Sequence, residues 1–291
     1  MPGRIQPTFT RSKSRQALGY IGDSHTLNHS LGVTPDKFPP CALEGLLYAQ
    51  GAAITCRNCG VAGNTTGQIL SRVALLTARE VPKIGIIYGG ANDPTYTTTV
   101  QASPAPTAST FTVAAGKGAG YVAAGTKITV GASSAVVQSV ATDAITLTAP
   151  LGGAPAAGTA VAIDTTANIL AVGQFLATAG TTKMIVLGQH FLNWSSGGDT
   201  VATPLSNLAA LRTLQQAGAT AIDAITGVDC QYINLWQVFA DEITAGRVTQ
   251  GSFSWHVLDM DVHLNAYGSS LIAAALYAKI VSAGWLSSLI V

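Results

Sequence analysis

Five short apolar runs punctuate the chain, at residues 17–21, 53–56, 84–88, 184–187 and 232–235. Each is four or five residues long with little polar alternation, the pattern of parallel strands covered on both faces. Stretches of helical period lie between them. Residues 66–77 set Ile69, Val73 and Leu76 at helical spacing, and residues 167–179 and 204–217 read likewise. A last helix is expected from Asn265, a good N-cap, into the apolar C-terminal segment. Strands alternating with helices predict a three-layer α/β fold around a parallel sheet.

From about residue 96 to residue 164 the helical period vanishes. A linker-like ASPAPTAS segment (102–109) is followed by STFTVAA, TKITVGA, AVVQSVA, AITLTAP and TAVAID, short alternating segments separated by turn residues. A loop of that length without its own fold would be unusual. The expected organisation is an N-terminal arm (1–16), a discontinuous α/β domain (17–95 and 165–291) and a small all-β insertion (96–164). Two roles stand open for the insertion: binding a glycan-like ligand, or binding another protein chain.

Composition narrows the function classes. With 291 residues and 48% hydrophobic content the chain can bury a sizeable core, and that content excludes disorder. Charged residues are only 10% and the net charge is +1, so no broad basic field exists for a nucleic-acid backbone. The surface must be rich in Ser, Thr, Gly, Ala and Asn, which suits extracellular or particle-bound proteins. Arg4, Arg11, Lys13 and Arg15 precede no apolar segment of the secretory kind. The C-terminal run from Leu271 is broken by Lys279, Ser282, Gly284, Ser287 and Ser288, so a packed helix is expected rather than a membrane span. Cys41, Cys56, Cys59 and Cys230 include a lone CxxC, with no spaced partners to complete a metal site. Small buried or free thiols are expected, no metal or other cofactor is implied, and a disulfide stays open.

The chemistry gathers where strands end. Gly22-Asp23-Ser24 follows the first, Gly60-Val61-Ala62-Gly63-Asn64 the second and Gly89-Gly90-Ala91-Asn92-Asp93 the third, while Asp259-Met260-Asp261-Val262-His263 precedes the last helix. Ligands of open parallel sheets bind beyond the carboxyl ends of strands. Serine becomes a nucleophile when a base takes its proton, and His263 can be that base. A carboxylate behind the histidine fixes its tautomer. Backbone N–H groups at glycine turns and an asparagine amide can hold a developing oxyanion.

This ordered set resembles the SGNH hydrolases, the GDSL esterase/lipase superfamily. Gly22-Asp23-Ser24 matches the first block, with His25 where the family has leucine. Gly63 in GVAGNTTG matches the second-block glycine, and Gly90-Ala91-Asn92-Asp93 matches GxND in full. The fifth block, DxxH, is matched at His263 only, because the acid position is Met260. The resemblance covers residues 17–95 and 165–283 and implies a three-layer flavodoxin-like fold with a central five-stranded parallel sheet.

The resemblance implies Ser24 as nucleophile and oxyanion donor, Gly63 and Asn92 as the other oxyanion donors, and His263 as base and then acid. Either Asp259 or Asp261 would orient the histidine. Two residues apart share a face in an extended segment, and four apart meet in a turn-like one; a bare Ser–His dyad is the third possibility. His25, His190 and Trp194 are candidates to line the substrate cleft. The implied activity is hydrolysis of an O-acyl ester through an acyl-serine. Family habit suggests acetyl groups on a carbohydrate. A lipase or thioesterase for longer chains, or a non-enzymatic adhesin or structural module, are the alternatives. The Gly/Ala/Thr-rich insertion and the absent signal also look similar to phage or prophage virion proteins, which leaves virion-associated and cytoplasmic locations open.

Overall fold

A computed structural model describes residues 16–27, 39–190, 202, 204–247 and 264–290. In chain order its strands are β1 (Gln16–Gly22), β2 (Ile54–Gly60), β3 (Ile84–Tyr88), β4 (Thr97–Thr99), β5 (Thr110–Thr112), β6 (Lys127–Val130), β7 (Ser133–Ala141), β8 (Ala144–Leu147), β9 (Ala160–Ile163), β10 (Lys183–Gly188) and β11 (Asp229–Asn234). The helices are α1 (Ser24–Leu27), α2 (Pro39–Tyr48), α3 (Thr66–Arg72), α4 (Ala74–Thr77), α5 (Thr165–Thr178), α6 (Ser206–Asp223), α7 (Leu235–Thr244) and α8 (Ala266–Ser282).

β1, β2, β3, β10 and β11 form a parallel sheet in the order β11-β10-β3-β1-β2. Counted in chain order within this sheet, that is the flavodoxin arrangement, with its switch point between β1 and β3. The period of two along each strand divides the core. Leu18, Tyr20, Ile84, Ile86, Ile185 and Leu187 face one side, where α2, α7 and α8 contribute Leu43, Phe239 and Leu276. Ile21, Ile87, Met184 and Val186 face the other, against Ile69 of α3, Leu176 of α5 and Ile222 of α6.

Residues 97–163 form a second sheet, six-stranded and antiparallel, in the order β4-β9-β6-β7-β8-β5. It has its own apolar cluster, including Tyr96, Phe111, Ile128, Val137, Ile145 and Val161. Thr97 pairs with Ala162, so this segment leaves and rejoins the α/β layers at adjacent points.

Several expected boundaries move for physical reasons. β2 continues past its apolar run through Arg57 and Asn58, and β11 begins earlier, at Asp229. Both are edge strands of the sheet, where polar side chains reach solvent. The helix expected over 66–77 breaks at Val73 into α3 and α4. α7 starts directly from β11, so Leu235 opens a helix instead of closing a strand. α2 was not expected; Pro39 and Pro40 occupy its first turn, where no backbone donor is lost. Asn265 caps α8 as expected, accepting Gly268 N–H at 3.0 Å. Cys56 and Cys59 lie on opposite faces of β2, one toward each core cluster, so they cannot bridge to each other. Among the described residues no helix is long and apolar enough to cross a membrane.

Candidate active site

β1 lies between β2 and β3, so three turns meet beyond its carboxyl end. The first is Gly22-Asp23-Ser24. A Cβ on Gly22 would fall 1.8 Å from Tyr88 O and 2.0 Å from Thr26 Oγ1, so only glycine fits. That close approach lets Asp23 N–H reach Tyr88 O at 3.3 Å while Gly22 O accepts Val61 N–H at 3.1 Å. α1 is pinned as well: Thr26 Oγ1 donates to Tyr88 O at 2.7 Å, and Asn58 Nδ2 donates to Thr26 O at 2.7 Å. Ser24 opens α1 and is half-buried.

The second turn carries Gly63, exposed and at φ +75°, a left-handed conformation that favours glycine. Asn64 follows it. The third carries Asn92, half-buried, whose Nδ2 donates to Asn64 O at 3.0 Å. An amide nitrogen has two hydrogens; this bond uses one and orients the other. Ser24, Gly63 and Asn92 thus sit on three turns that main-chain and side-chain bonds hold to one another.

Two carboxyls brace these turns from beneath. Asp23, fully buried, accepts His25 N–H at 3.0 Å and Ala91 N–H at 3.3 Å, joining the serine turn to the asparagine turn. Asp93 accepts Thr66 N–H at 2.8 Å and the hydroxyls of Thr66 and Thr165, each at 2.6 Å. Burial pushes both up, Asp23 to about 7 and Asp93 to about 6, against the lowering effect of the donors around them.

His25 and His190 are both buried: His25 is 4% exposed and His190 0%. Their rings meet edge to face, centroids 4.7 Å apart, with Tyr88 and Phe239 against them. Tyr88 Oη is 2.5 Å from His190 Nδ1. Burial pushes the Tyr88 phenol well above the ordinary tyrosine value. Trp194, Asp259, Asp261 and His263 lie outside the described residues. The chain re-enters the described structure at Leu264, buried in the same cluster as Tyr88 and Phe239.

Sequence reasoning missed Asn64, Arg72 and Asp93 as organisers. Asp93 was visible only as the last letter of GxND, and Arg72 as one basic residue in a helical stretch. A pocket of about 310 Å3 also lies beside Asp93, between Tyr96 and Ile163 of the antiparallel segment and Leu211 and Leu214 of α6. Among the described residues no group of three or more His, Cys, Asp or Glu could hold a metal ion.

No family model matches the sequence, and no curated protein is similar to it. Solved structures are similar in fold. A lipase/acylhydrolase from Enterococcus faecalis is 16% identical with a TM-score of 0.50, over 92% of this chain and 96% of that one. An acetyl xylan esterase is 13% identical with a TM-score of 0.54, over 91% and 99%. An acetyl xylan esterase from Geobacillus stearothermophilus is 16% identical with a TM-score of 0.52, over 91% and 94%. The chain shares its fold with this acylhydrolase and these acetyl xylan esterases. In that fold the parallel sheet presents the three turns at one edge.

Proposed function

We propose that the protein is a serine ester hydrolase with Ser24 as nucleophile. His263 takes the Ser24 proton, and Asp259 or Asp261 holds the imidazole tautomer. Ser24 Oγ attacks the ester carbonyl. The backbone N–H groups of Ser24 and Gly63 and the free hydrogen of Asn92 Nδ2 receive the oxyanion. His263 returns the proton to the departing alcohol, and water then cleaves the acyl-serine.

The observation that carries this reading is the bond from Asn92 Nδ2 to Asn64 O, which fixes an amide donor beside the Gly63 and Ser24 turns. Acetyl esters of a carbohydrate are the favoured substrate class, a reading supported by similarity in fold to acetyl xylan esterases. Residues 96–164 are read as an inserted β module, supported by their separate apolar cluster and adjacent entry and exit.

The test has two parts. A fluorophosphonate probe should label Ser24 covalently, and Ser24→Ala should abolish both labelling and ester turnover; a label mapped to another serine would overturn the assignment. Turnover should then be compared on p-nitrophenyl acetate, butyrate and decanoate and on acetylated xylan. Preference for decanoate would move the reading to a lipase or thioesterase.

A further inference from the structure

Arg72 closes α3, one helix away from any reacting atom, and its guanidinium is shared among three acceptors. Nε donates to Asn64 Oδ1 at 2.8 Å, Nη1 to Cys59 O at 2.8 Å, and Nη2 to Gly22 O at 3.1 Å. These acceptors are not scattered. Gly22 O ends β1, two residues before Ser24. Cys59 O lies at the end of β2, before the Gly63 turn. Asn64 is the residue after Gly63, and its carbonyl receives Asn92 Nδ2 at 3.0 Å. One side chain therefore touches the supports of all three turns, and it reaches Asn92 through a single intervening residue.

The chemistry of the group matters as much as its place. Arg72 makes no ion pair among the described residues, and its acceptors are neutral amide oxygens. A half-buried cation held by neutral carbonyls is costly to keep unless geometry repays it. Guanidinium supplies planar donors in a fixed fork; an ammonium is a compact charge with rotatable donors and cannot reproduce three such directions from one point.

We infer that Arg72 is a positioning residue of the oxyanion hole, fixing Asn92 through Asn64 and holding the serine turn at a set distance from both. This rests on the ester-hydrolase reading above. It goes further by assigning a task to a residue outside the matched blocks. Catalytic groups displaced by a fraction of an ångström lose much of their effect, so a group that sets these separations acts on kcat without touching substrate.

The experiment is a double-mutant cycle on the full chain with p-nitrophenyl acetate. Arg72→Lys keeps the charge and loses the fork, and Arg72→Met keeps the stem alone. Either should lower kcat about 10- to 100-fold, part of what an oxyanion donor is worth, with KM changed less than about threefold. In an Asn92→Ala background the same substitutions should have little further effect, because the donor they align is gone. Equal losses in both backgrounds, or unchanged kcat in Arg72→Lys, would overturn the inference. A purely structural arginine would lower Tm and act additively. A second arm does not depend on activity. In 15N-labelled protein, Arg72→Lys should shift the Asn92 side-chain amide resonances and speed their hydrogen exchange; unchanged signals would overturn the inference. If the wild-type protein neither turns over esters nor takes the fluorophosphonate, the hydrolase reading fails, and this second arm still decides whether Arg72 positions Asn92.

Discussion

The two sheets of this molecule solve the same problem of burial by different means. The parallel sheet is covered on both faces, and its two core clusters are filled by helices. The antiparallel sheet folds on itself around one cluster, with hairpin-linked strands alternating inward and outward. The contrast extends to polar chemistry. The fully buried carboxyls, Asp23 and Asp93, both belong to the parallel half, as do His25 and His190. The antiparallel half buries threonines but no carboxyl among the described residues. Parallel strands all end at one edge, so the turns beyond them converge; antiparallel strands end alternately at both edges, so theirs do not. The difference teaches why reactive residue types collect on one half of the chain and avoid the other.

The halves are nevertheless joined by a polar seam. Thr65 caps α3 and also donates its hydroxyl to Tyr121 O at 2.6 Å, while Gln68 Nε2 donates to Gly120 O at 3.1 Å. Asn168 on α5 exchanges two bonds with the Lys127 backbone, at 2.8 and 2.9 Å. The antiparallel segment thus braces the start of α3, the helix that follows the Gly63 turn.

The sharpest break of the comparison is expected at Asn92. Asn92→Ala should lower kcat about 10²–10³-fold with KM little changed, since the lost donor acts on the transition state; steady-state kinetics on p-nitrophenyl acetate decide it, and a loss confined to KM would make Asn92 a substrate contact. Excision comes next. Because β4 and β9 pair at their roots, a short Gly/Ser linker can replace residues 97–163. The remaining α/β protein should stay folded and keep small-ester turnover within about tenfold of wild type, a far smaller loss than deleting an oxyanion donor brings. An insoluble product would show that the seam is integral to the core.

A pH series should separate the halves without mutation. The folded values of Asp23 and Asp93 are raised above the ordinary 3.8, to about 7 and about 6. The folded protein therefore holds protons that the unfolded chain gives up. Their stabilisation is complete below pH 4 and is lost as pH rises to about 7, by at most about 1.4 kcal/mol per pH unit from each group. Asp23→Asn should flatten this fall in Tm. Hydrogen exchange should show loosening of β1 and β3 over that range with β6 and β7 unmoved; equal loosening in both sheets would refute the localisation. The smallest effect is at the seam itself. Thr65→Ala removes a helix cap and the bond to Tyr121 O, and should cost about 1–2 kcal/mol in denaturant unfolding.

Much of the parallel half was legible because its central strands are buried on both faces. The run at 84–88 coincides with β3, every residue of which is buried. Legibility failed at the edges, where Arg57, Asn58, Asp229 and Gln231 break the apolar signal yet still pair in the sheet. It failed again at α7, which begins without a loop to announce it. In the candidate site, the turns that carry Ser24, Gly63 and Asn92 could be read because turn chemistry leaves a local signature. Arg72 could not, because its acceptors are mostly main-chain carbonyls brought near by folding, and a carbonyl has no letter in the sequence. His25 and His190, candidates to line the cleft, proved to be buried, because their position after a strand says where the backbone ends, not which way an imidazole turns.

The lack of space at Gly22 has a consequence for mutational scanning. Any side chain there would strike Tyr88 and Thr26, so a library selected only for soluble, folded protein should already be stripped of variants at position 22. Gly63 differs: its Cβ direction is open, with nothing within 4 Å, and asparagine or aspartate can adopt its positive φ. Variants at position 63 should therefore survive a folding screen, and any that are depleted under selection for turnover are lost for chemistry and not for fold. Two glycines that look alike in a depletion map would report different pressures, one steric and one chemical, and running the two screens in parallel would tell them apart.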